Sequence, residues 1–171
     1  MRSCEVGTWL GAYRVVFHPG YYGKMEKAET YANIKNQVLE LQEEIKKKKY
    51  TPKLAPETTG RINVFGSVDE IYRLCEETGC EFCIDFAHIL ARYKLYNFKD
   101  VFKKFKKHKK FHLHFSGIEY GEKGEKHHKQ TSKKEWKKLI SNLPKDKEVV
   151  IINESPSPVE DSLEGLRIYS D

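Results

Sequence analysis

A regular alternation of short apolar segments with helical segments is the feature that most limits what this chain can fold into. Five segments rich in β-branched and aromatic residues end at a polar residue or a turn, and we interpret them as strands at 13–17, 50–57, 81–85, 111–115 and 149–153. Strands separated by helices pair in parallel, with the helices packed outside the sheet. The pattern predicts an α/β fold, either a doubly wound sheet or part of a β/α barrel.

The segments between these strands have the periodicity of helices. Apolar residues recur at three- and four-residue steps from 24–48, and further helices are predicted at 2–11, 67–78, 97–107, 132–143 and 157–169. Ser132 precedes Glu135 by three residues, a spacing typical of a capping box at a helix start. The glycine-punctuated stretch after the fourth strand is predicted to be a loop.

Length and charge limit the class of protein. The 171 residues suffice for one domain, 1–171, with a core of its own. The formal charge of +6 comes from lysine runs at 46–49 and 103–110, which favour a polyanionic partner such as nucleic acid but are equally typical of a solvated helix face. The sequence has no apolar run near the ~20 residues that cross a bilayer and no signal-peptide core. We therefore expect a cytoplasmic protein with no membrane partner and with reduced cysteines.

Residue types that bind metals occupy the carboxyl-terminal tips of all five predicted strands or the loops that follow them. In chain order they are His18, Glu57, Asp85, His88, His112, Glu125, His127 and Glu154. In β/α barrels these tips and loops form the active-site face. Imidazoles and carboxylates that converge there are costly to bury unless a divalent cation neutralises the acids and binds the ring nitrogens. We therefore expect a metal site.

The mixture of histidine with acidic ligands favours Zn²⁺, with Mn²⁺ and Fe²⁺ as alternatives. The eight candidate ligands exceed what one ion binds. A site with several metals indicates hydrolysis, commonly of a phosphodiester, in which metal-activated water attacks the phosphorus in line.

Several short motifs follow one another in the order found in a known family. They are His18-Pro19-Gly20 after a strand, Pro56-Glu57-Thr58-Thr59-Gly60, Cys83-Ile84-Asp85 with His88, HLHFSG with GEKGEKHH, and INESPSP around Glu154. Through these motifs the chain resembles endonuclease IV in its archaeal-type variant. The resemblance implies a (β/α)8 TIM barrel of the xylose isomerase-like type. It also implies a zinc-dependent DNA repair endonuclease that hydrolyses the phosphodiester 5′ to abasic sites and leaves a 3′-hydroxyl.

The resemblance also implies which residues hold up to three zinc ions. His18 matches a ligand of the first ion, and Glu57 matches a carboxylate that bridges the first and second ions. The other ligands of the second ion match Asp85, His112 and Glu154. Glu57 and Glu154 are expected to be the catalytic residues.

The set for the third ion matches His88, Glu125 and His127. Glu125 stands where the better-known family members have aspartate, and a longer carboxylate can still bind a metal. Three histidines receive no role, namely His108, His114 and His128.

The resemblance predicts that the chain is incomplete as a barrel. A TIM barrel has eight strands and typically about 250 residues, whereas this chain has five predicted strands, matching the C-terminal five β/α units. The missing N-terminal portion would bring a further histidine ligand, either upstream of Met1 or on a separate chain, and the protein is otherwise expected to be monomeric. The expected substrate is double-stranded DNA containing abasic sites. We expect isolated residues 1–171 to bind metal weakly and to have little activity.

Two other functions fit the same sequence. A sugar or sugar-phosphate isomerase-like TIM barrel also binds metal through Glu, Asp and His, but the third ligand set is surplus to such an enzyme. A non-enzymatic basic fragment that binds nucleic acid through its lysine runs would keep its DNA affinity when Glu57 or Glu154 is replaced.

Overall fold

The structure, a computed structural model, describes residues 1–170 and divides into two compact units. The first unit contains residues 1–58 and 63–83, and the second contains residues 59–62 and the chain from Ile84 onward. One domain over 1–171 stays a prediction, because a division into compact units does not test whether each folds alone.

The first unit contains two parallel strands and three helices. In chain order these elements are α1 (Arg2–Trp9), β1 (Arg14–Phe17), α2 (Lys27–Lys47), β2 (Lys53–Pro56) and α3 (Val68–Thr78). β1 and β2 run in parallel and end together, with Phe17 opposite Pro56. Glu57 continues the pairing by forming a parallel bridge with Cys83. The carboxyl-terminal ends of β1 and β2 therefore lie at one edge.

Local sequence sets the bounds of α3. The Ser67 side chain accepts a hydrogen bond from the Glu70 N–H while the Glu70 side chain accepts one from the Ser67 N–H, which completes a capping box. Gly79 ends the helix with a φ of 69°, a left-handed conformation that glycine adopts at little cost. The helix buries one face, on which Ile71 is fully inaccessible. The predicted helix is confirmed.

The second unit is built on three parallel strands and an antiparallel hairpin. In chain order its elements are β3 (Ile84–Asp85), α4 (Phe86–Tyr93), α5 (Phe98–Lys104), β4 (Lys110–Phe115), β5 (Gly117–Gly121), β6 (Gly124–Lys129), α6 (Lys133–Ile140), β7 (Glu148–Asn153) and α7 (Pro158–Ser170). β4 lies between β3 and β7, and all three strands are parallel. β5 and β6 pair with each other in an antiparallel hairpin.

Aromatic side chains form the core of the second unit. The Phe86 ring centroid on α4 lies 4.6 Å from that of Phe98 and 5.4 Å from that of Phe102, both on α5. On β4, the Phe115 ring centroid lies 5.3 Å from that of Trp136 on α6. All five side chains are buried. Because protein interiors are closely packed, these contacts hold the ends of β3 and β4 in place.

Two parts of the second unit differ from the sequence predictions. The third strand is only Ile84–Asp85, and the helix α4 that follows it directly is not predicted. α4 begins there because the Asp85 side chain accepts a hydrogen bond from the His88 backbone N–H and so caps the helix. The prediction of a loop after the fourth strand is wrong, because residues 117–129 form the β5–β6 hairpin.

β7 is an edge strand within the part of the chain that the structure describes. Val150 and Ile152 on this strand are 46% and 45% exposed, and Leu166 and Tyr169 on α7 are 62% and 69% exposed. The second unit therefore presents apolar side chains on its edge strand and on the following helix. Among residues 1–170, no helix combines the length and the apolar character that crossing a lipid bilayer requires.

Gly165 on α7 is predicted to tolerate no side chain. A Cβ at this position would lie 2.9 Å from two atoms of the indole ring of Trp136, which is buried. Gly165→Ala should gain about 1 kcal/mol in helix propensity but lose about 1–3 kcal/mol to overpacking. We therefore expect a lower free energy of unfolding, measured by urea denaturation. Arg167→Ala, on the exposed side of the same helix, should change it by less than about 0.5 kcal/mol. A more stable Gly165→Ala variant would contradict this packing.

Candidate metal centre

In the first unit, the strand ends bring His18 and Glu57 together. Phe17 and Pro56 are register partners, so the residue that follows each of them lies at the same edge. The Glu57 N–H donates to the Phe17 carbonyl oxygen over 3.0 Å, and Glu57 Oε2 lies 3.3 Å from His18 Nε2. The Glu57 side chain is 5% exposed and that of His18 is 53% exposed. A buried carboxylate and a solvent-accessible imidazole thus form the candidate ligand pair of this unit.

In the second unit, Asp85 and His88 share the first turn of α4. Asp85 Oδ1 accepts a hydrogen bond from the His88 backbone N–H over 2.8 Å, and Asp85 Oδ2 lies 3.5 Å from His88 Nδ1. Both side chains are almost completely buried. Residues three apart at a helix start lie on one side of it, so the aspartate and histidine of this motif meet as the sequence predicts.

The structure places His114, and not His112, beside Asp85 and Glu154. Asp85 is the register partner of His114, and His114 Nδ1 lies 3.0 Å from Glu154 Oε1. Ligand atoms of these three residues lie within 4.8 Å of one another. The His112 ring lies two residues earlier on β4, with its centroid 5.3 Å from that of His114. Because β4 continues to Phe115, the histidine nearer its carboxyl end is His114. The role of His112 as a metal ligand stays a prediction.

The β5–β6 hairpin turns two side chains toward His88. Glu125 Oε2 lies 3.4 Å from His88 Nε2, and His128 Nε2 lies 3.3 Å from the same nitrogen. Ligand atoms of His88, His128 and Asp85 lie within 4.8 Å of one another. Two imidazoles and a carboxylate therefore converge on one point, and one of these imidazoles, that of His128, has no role in the sequence analysis.

A β-bulge decides which of two adjacent histidines faces His88. Glu125 opposes one residue of β5 and His127 opposes the next, so Lys126 is an extra residue on β6. An extra residue reverses the alternation of side chains, which places Glu125 and His128 on one face. His127 lies on the other face, where it is 64% exposed and its Nε2 lies 3.6 Å from Glu119 Oε2. The role of His127 as a metal ligand stays a prediction, and His128 joins the candidates through a bulge that no residue type signals.

The loop at 59–62 closes against these ligands within the second unit. A Cβ on Gly60 would lie 2.7 Å from Glu125 Cβ and 3.1 Å from His88 Cδ2, so a side chain at this position would displace both ligands. Arg92 of α4 holds the loop by donating to one of its backbone carbonyl oxygens over 2.6 Å. The site therefore depends on the absence of a side chain at Gly60 as well as on the ligands themselves.

The lysine run between α5 and β4 lies away from the ligands. Lys110 begins β4 and His114 is four residues further along, which corresponds to about 13 Å at ~3.3 Å per residue of strand. Lys110 Nζ instead lies 2.8 Å from Glu148, and both side chains are more than half exposed. This end of the run therefore belongs to a solvated surface.

The second unit holds two ligand sets whose composition fits divalent metals. Each set combines imidazole nitrogens with carboxylate oxygens, with Asp85, His114 and Glu154 in one and His88, Glu125 and His128 in the other. Carboxylates and imidazoles so close together are costly to bury without a cation. Nitrogen and oxygen ligands in this mixture suit Zn²⁺ or Mn²⁺.

Residues 1–170 match the family model AP_endonuc_2, whose description is xylose isomerase-like TIM barrel. The chain belongs to this family. In the crystal structure of SacUVDE the same fold recurs, with a TM-score of 0.71 at 16% sequence identity over 99% of this chain and 55% of that chain. The predicted fold class is thereby confirmed. In a xylose isomerase-like TIM barrel the active site lies at the carboxyl-terminal ends of the strands, where both ligand sets of the second unit occur.

The uncharacterized protein MJ0133 of Methanocaldococcus jannaschii is similar in sequence to this TIM barrel chain. The two are 33% identical over an alignment 171 positions long, which covers 92% of this chain and 63% of MJ0133. The chain therefore spans less than two thirds of the length of MJ0133 and just over half of SacUVDE.

The Zn²⁺ affinity should distinguish His114 from His112 and His128 from His127. His114→Ala and His128→Ala remove candidate ligands, so the Zn²⁺ affinity measured by isothermal titration calorimetry should fall by more than the roughly 10-fold that loss of a supporting contact costs. His112→Ala and His127→Ala are the matched controls and should change the affinity little. Equal losses from ligand and control variants would contradict the assignment to His114 and His128.

A side chain at Gly60 should weaken the set that contains Glu125. Gly60→Ala places its methyl group against Glu125 and His88, and we expect the Zn²⁺ affinity to fall by about 10-fold or more. Gly121→Ala is the control in the same hairpin, since its Cβ would meet only the flexible end of Lys126 at 3.4 Å. An unchanged affinity in Gly60→Ala would show that the loop does not constrain the ligands.

Proposed function

We propose that this chain is part of a zinc-dependent DNA repair endonuclease of the endonuclease IV type, which hydrolyses the phosphodiester 5′ to abasic sites. The observation that carries the proposal is the pair of adjacent ligand sets in the second unit, joined through the Asp85–His88 turn. Two or more metal ions at neighbouring positions are typical of phosphodiester hydrolysis. Membership of the xylose isomerase-like TIM barrel family supports the proposal.

The proposed ligands divide among up to three ions. In the second unit one ion uses Asp85, His114 and Glu154, and another uses His88, Glu125 and His128. A third ion uses His18 and Glu57 of the first unit, which would need further ligands. Zn²⁺ is the proposed ion and Mn²⁺ the alternative. When bound, such ions act as Lewis acids that polarise the phosphate, lower the pKa of water and orient the substrate.

The carboxylates have different tasks because their exposure differs. Asp85 and Glu57 are buried and supply fixed negative charge that recruits cations. The Glu154 side chain is 34% exposed, so it is the carboxylate of its set that solvent reaches. We assign Glu154 the task of accepting a proton from the attacking water, and Glu57 that of a metal ligand.

The proposed substrate, DNA with an abasic site, fits the charge of the ligand sets and the need to bring a nucleotide to them. Without cations, the clustered carboxylates repel a DNA phosphate, so binding and hydrolysis both require metal. A nucleotide must leave the duplex to reach the ligand sets, and a damaged nucleotide leaves at lower cost than a paired one. Selectivity for abasic sites therefore follows from the lower free energy needed to move the damaged nucleotide out of the duplex and to the metal-binding residues.

Cleavage of a duplex with a single abasic site tests the proposal. The purified chain with Zn²⁺ or Mn²⁺ should cut 5′ to the site, leave a 3′-hydroxyl and stop when a chelator is added. Glu154→Gln should lower the rate by about 100-fold or more, while Glu148→Gln, at the exposed other end of β7, should leave it unchanged. Chelator-resistant cutting, or equal cutting of an intact duplex, contradicts the proposal.

A further inference from the structure

Ser116 is a buried polar residue that the proposed reaction does not use. It lies between β4 and β5, and its side chain is fully inaccessible to solvent. Its hydroxyl oxygen lies 2.6 Å from His128 Nδ1 and 2.9 Å from the Gly117 carbonyl oxygen. It therefore contacts the nitrogen of His128 that faces away from His88.

The hydroxyl of Ser116 has one proton, and this restricts how the two hydrogen bonds form. The Gly117 carbonyl oxygen can only accept, so the Ser116 O–H donates to it. The same oxygen then accepts from His128, which requires the proton of the imidazole to be on Nδ1. In the opposite arrangement Ser116 donates to His128, and the buried Gly117 carbonyl loses this bond, which is costly for a buried polar group.

We propose that Ser116 is a positioning residue that fixes the tautomer of His128, with hydrogen on Nδ1 and an unprotonated Nε2. That Nε2 lies 3.3 Å from His88 Nε2, and His88 Nε2 lies 3.4 Å from Glu125 Oε2. The bare nitrogen is thus directed into the ligand set. A histidine binds a metal only through a nitrogen that carries no proton, and a hydrogen bond at the other nitrogen sets which one is bare.

The geometry of the pair strengthens the inference. The rings of His128 and His88 meet edge to face, with an interplanar angle of 74°. In the absence of metal, the bare Nε2 of His128 lies within hydrogen-bonding distance of His88 Nε2, so an N–H on that nitrogen would donate to it. The proposed tautomer is therefore compatible with the metal-free contact as well as with metal binding.

Nuclear magnetic resonance of the metal-free full chain tests the tautomer directly. Long-range ¹H–¹⁵N correlations distinguish imidazoles protonated on Nδ1 from those protonated on Nε2. In the wild type, His128 should be the Nδ1–H tautomer. In Ser116→Ala it should be a mixture with the Nε2–H form. An Nε2–H tautomer in the wild type overturns the proposal even if the variant fails to fold.

Metal affinity gives the second measurement, and this part rests on the proposed ligand set. Ser116→Ala should weaken Zn²⁺ binding by about 10- to 100-fold. Ser132→Ala is the control. It removes the capping hydroxyl of α6, which costs helix stability, and it should leave the Zn²⁺ affinity unchanged because Ser132 caps α6 through Glu135. Equal affinities of Ser116→Ala and wild type overturn the proposal. Neither measurement uses DNA, so loss of the proposed nuclease function would not be mistaken for failure of this inference.

Discussion

Parallel pairing in register is the constraint on which the rest of this structure depends. Glu57 and His18 meet because the strands before them end opposite each other, and Asp85 meets His114 because they are register partners. Glu154 follows β7 and donates its backbone N–H to Phe115, which fixes its position beside β4. A slip of one residue would turn each of these side chains to the opposite face. The ligand sets are therefore a consequence of backbone hydrogen bonds and of the aromatic packing that holds them.

Residues whose positions follow from local periodicity are predictable from the sequence. The alternation of strands and helices predicts the fold class, and the Ser132–Glu135 capping box predicts the start of α6. Asp85 and His88 are candidates from the sequence because they lie at and just after the end of the third predicted strand, whereas the helix start that brings them together is seen only in the structure. His18 and Glu57 are found because each directly follows an apolar run.

Residues whose positions depend on non-local pairing are not predictable in the same way. His112 and His114 share one face of β4, so alternation cannot choose between them, and only the pairing with β3 does so. Which of the neighbours His127 and His128 faces His88 depends on a bulge that is created by pairing with β5. Such choices depend on hydrogen bonds between segments, and sequence periodicity carries no information about them.

The distribution of charge limits which functions the structure favours. The net charge of +6 is a property of the whole surface, while Lys110 at the end of the α5–β4 lysine run is paired with Glu148 away from the ligands. Positive charge of this kind accelerates encounter with a polyanion without contacting the reacting group. Binding through lysines alone leaves the buried carboxylates unexplained, and only a third ligand set would be surplus to a sugar isomerase.

The exposed edge of β7 limits how the protein behaves at high concentration. Natural edge strands use charged residues and proline against intermolecular pairing. The central residues of β7, Val149 to Ile152, include neither. An uncharged edge of this kind is a template for a strand from another molecule, so self-association competes with the dispersed state.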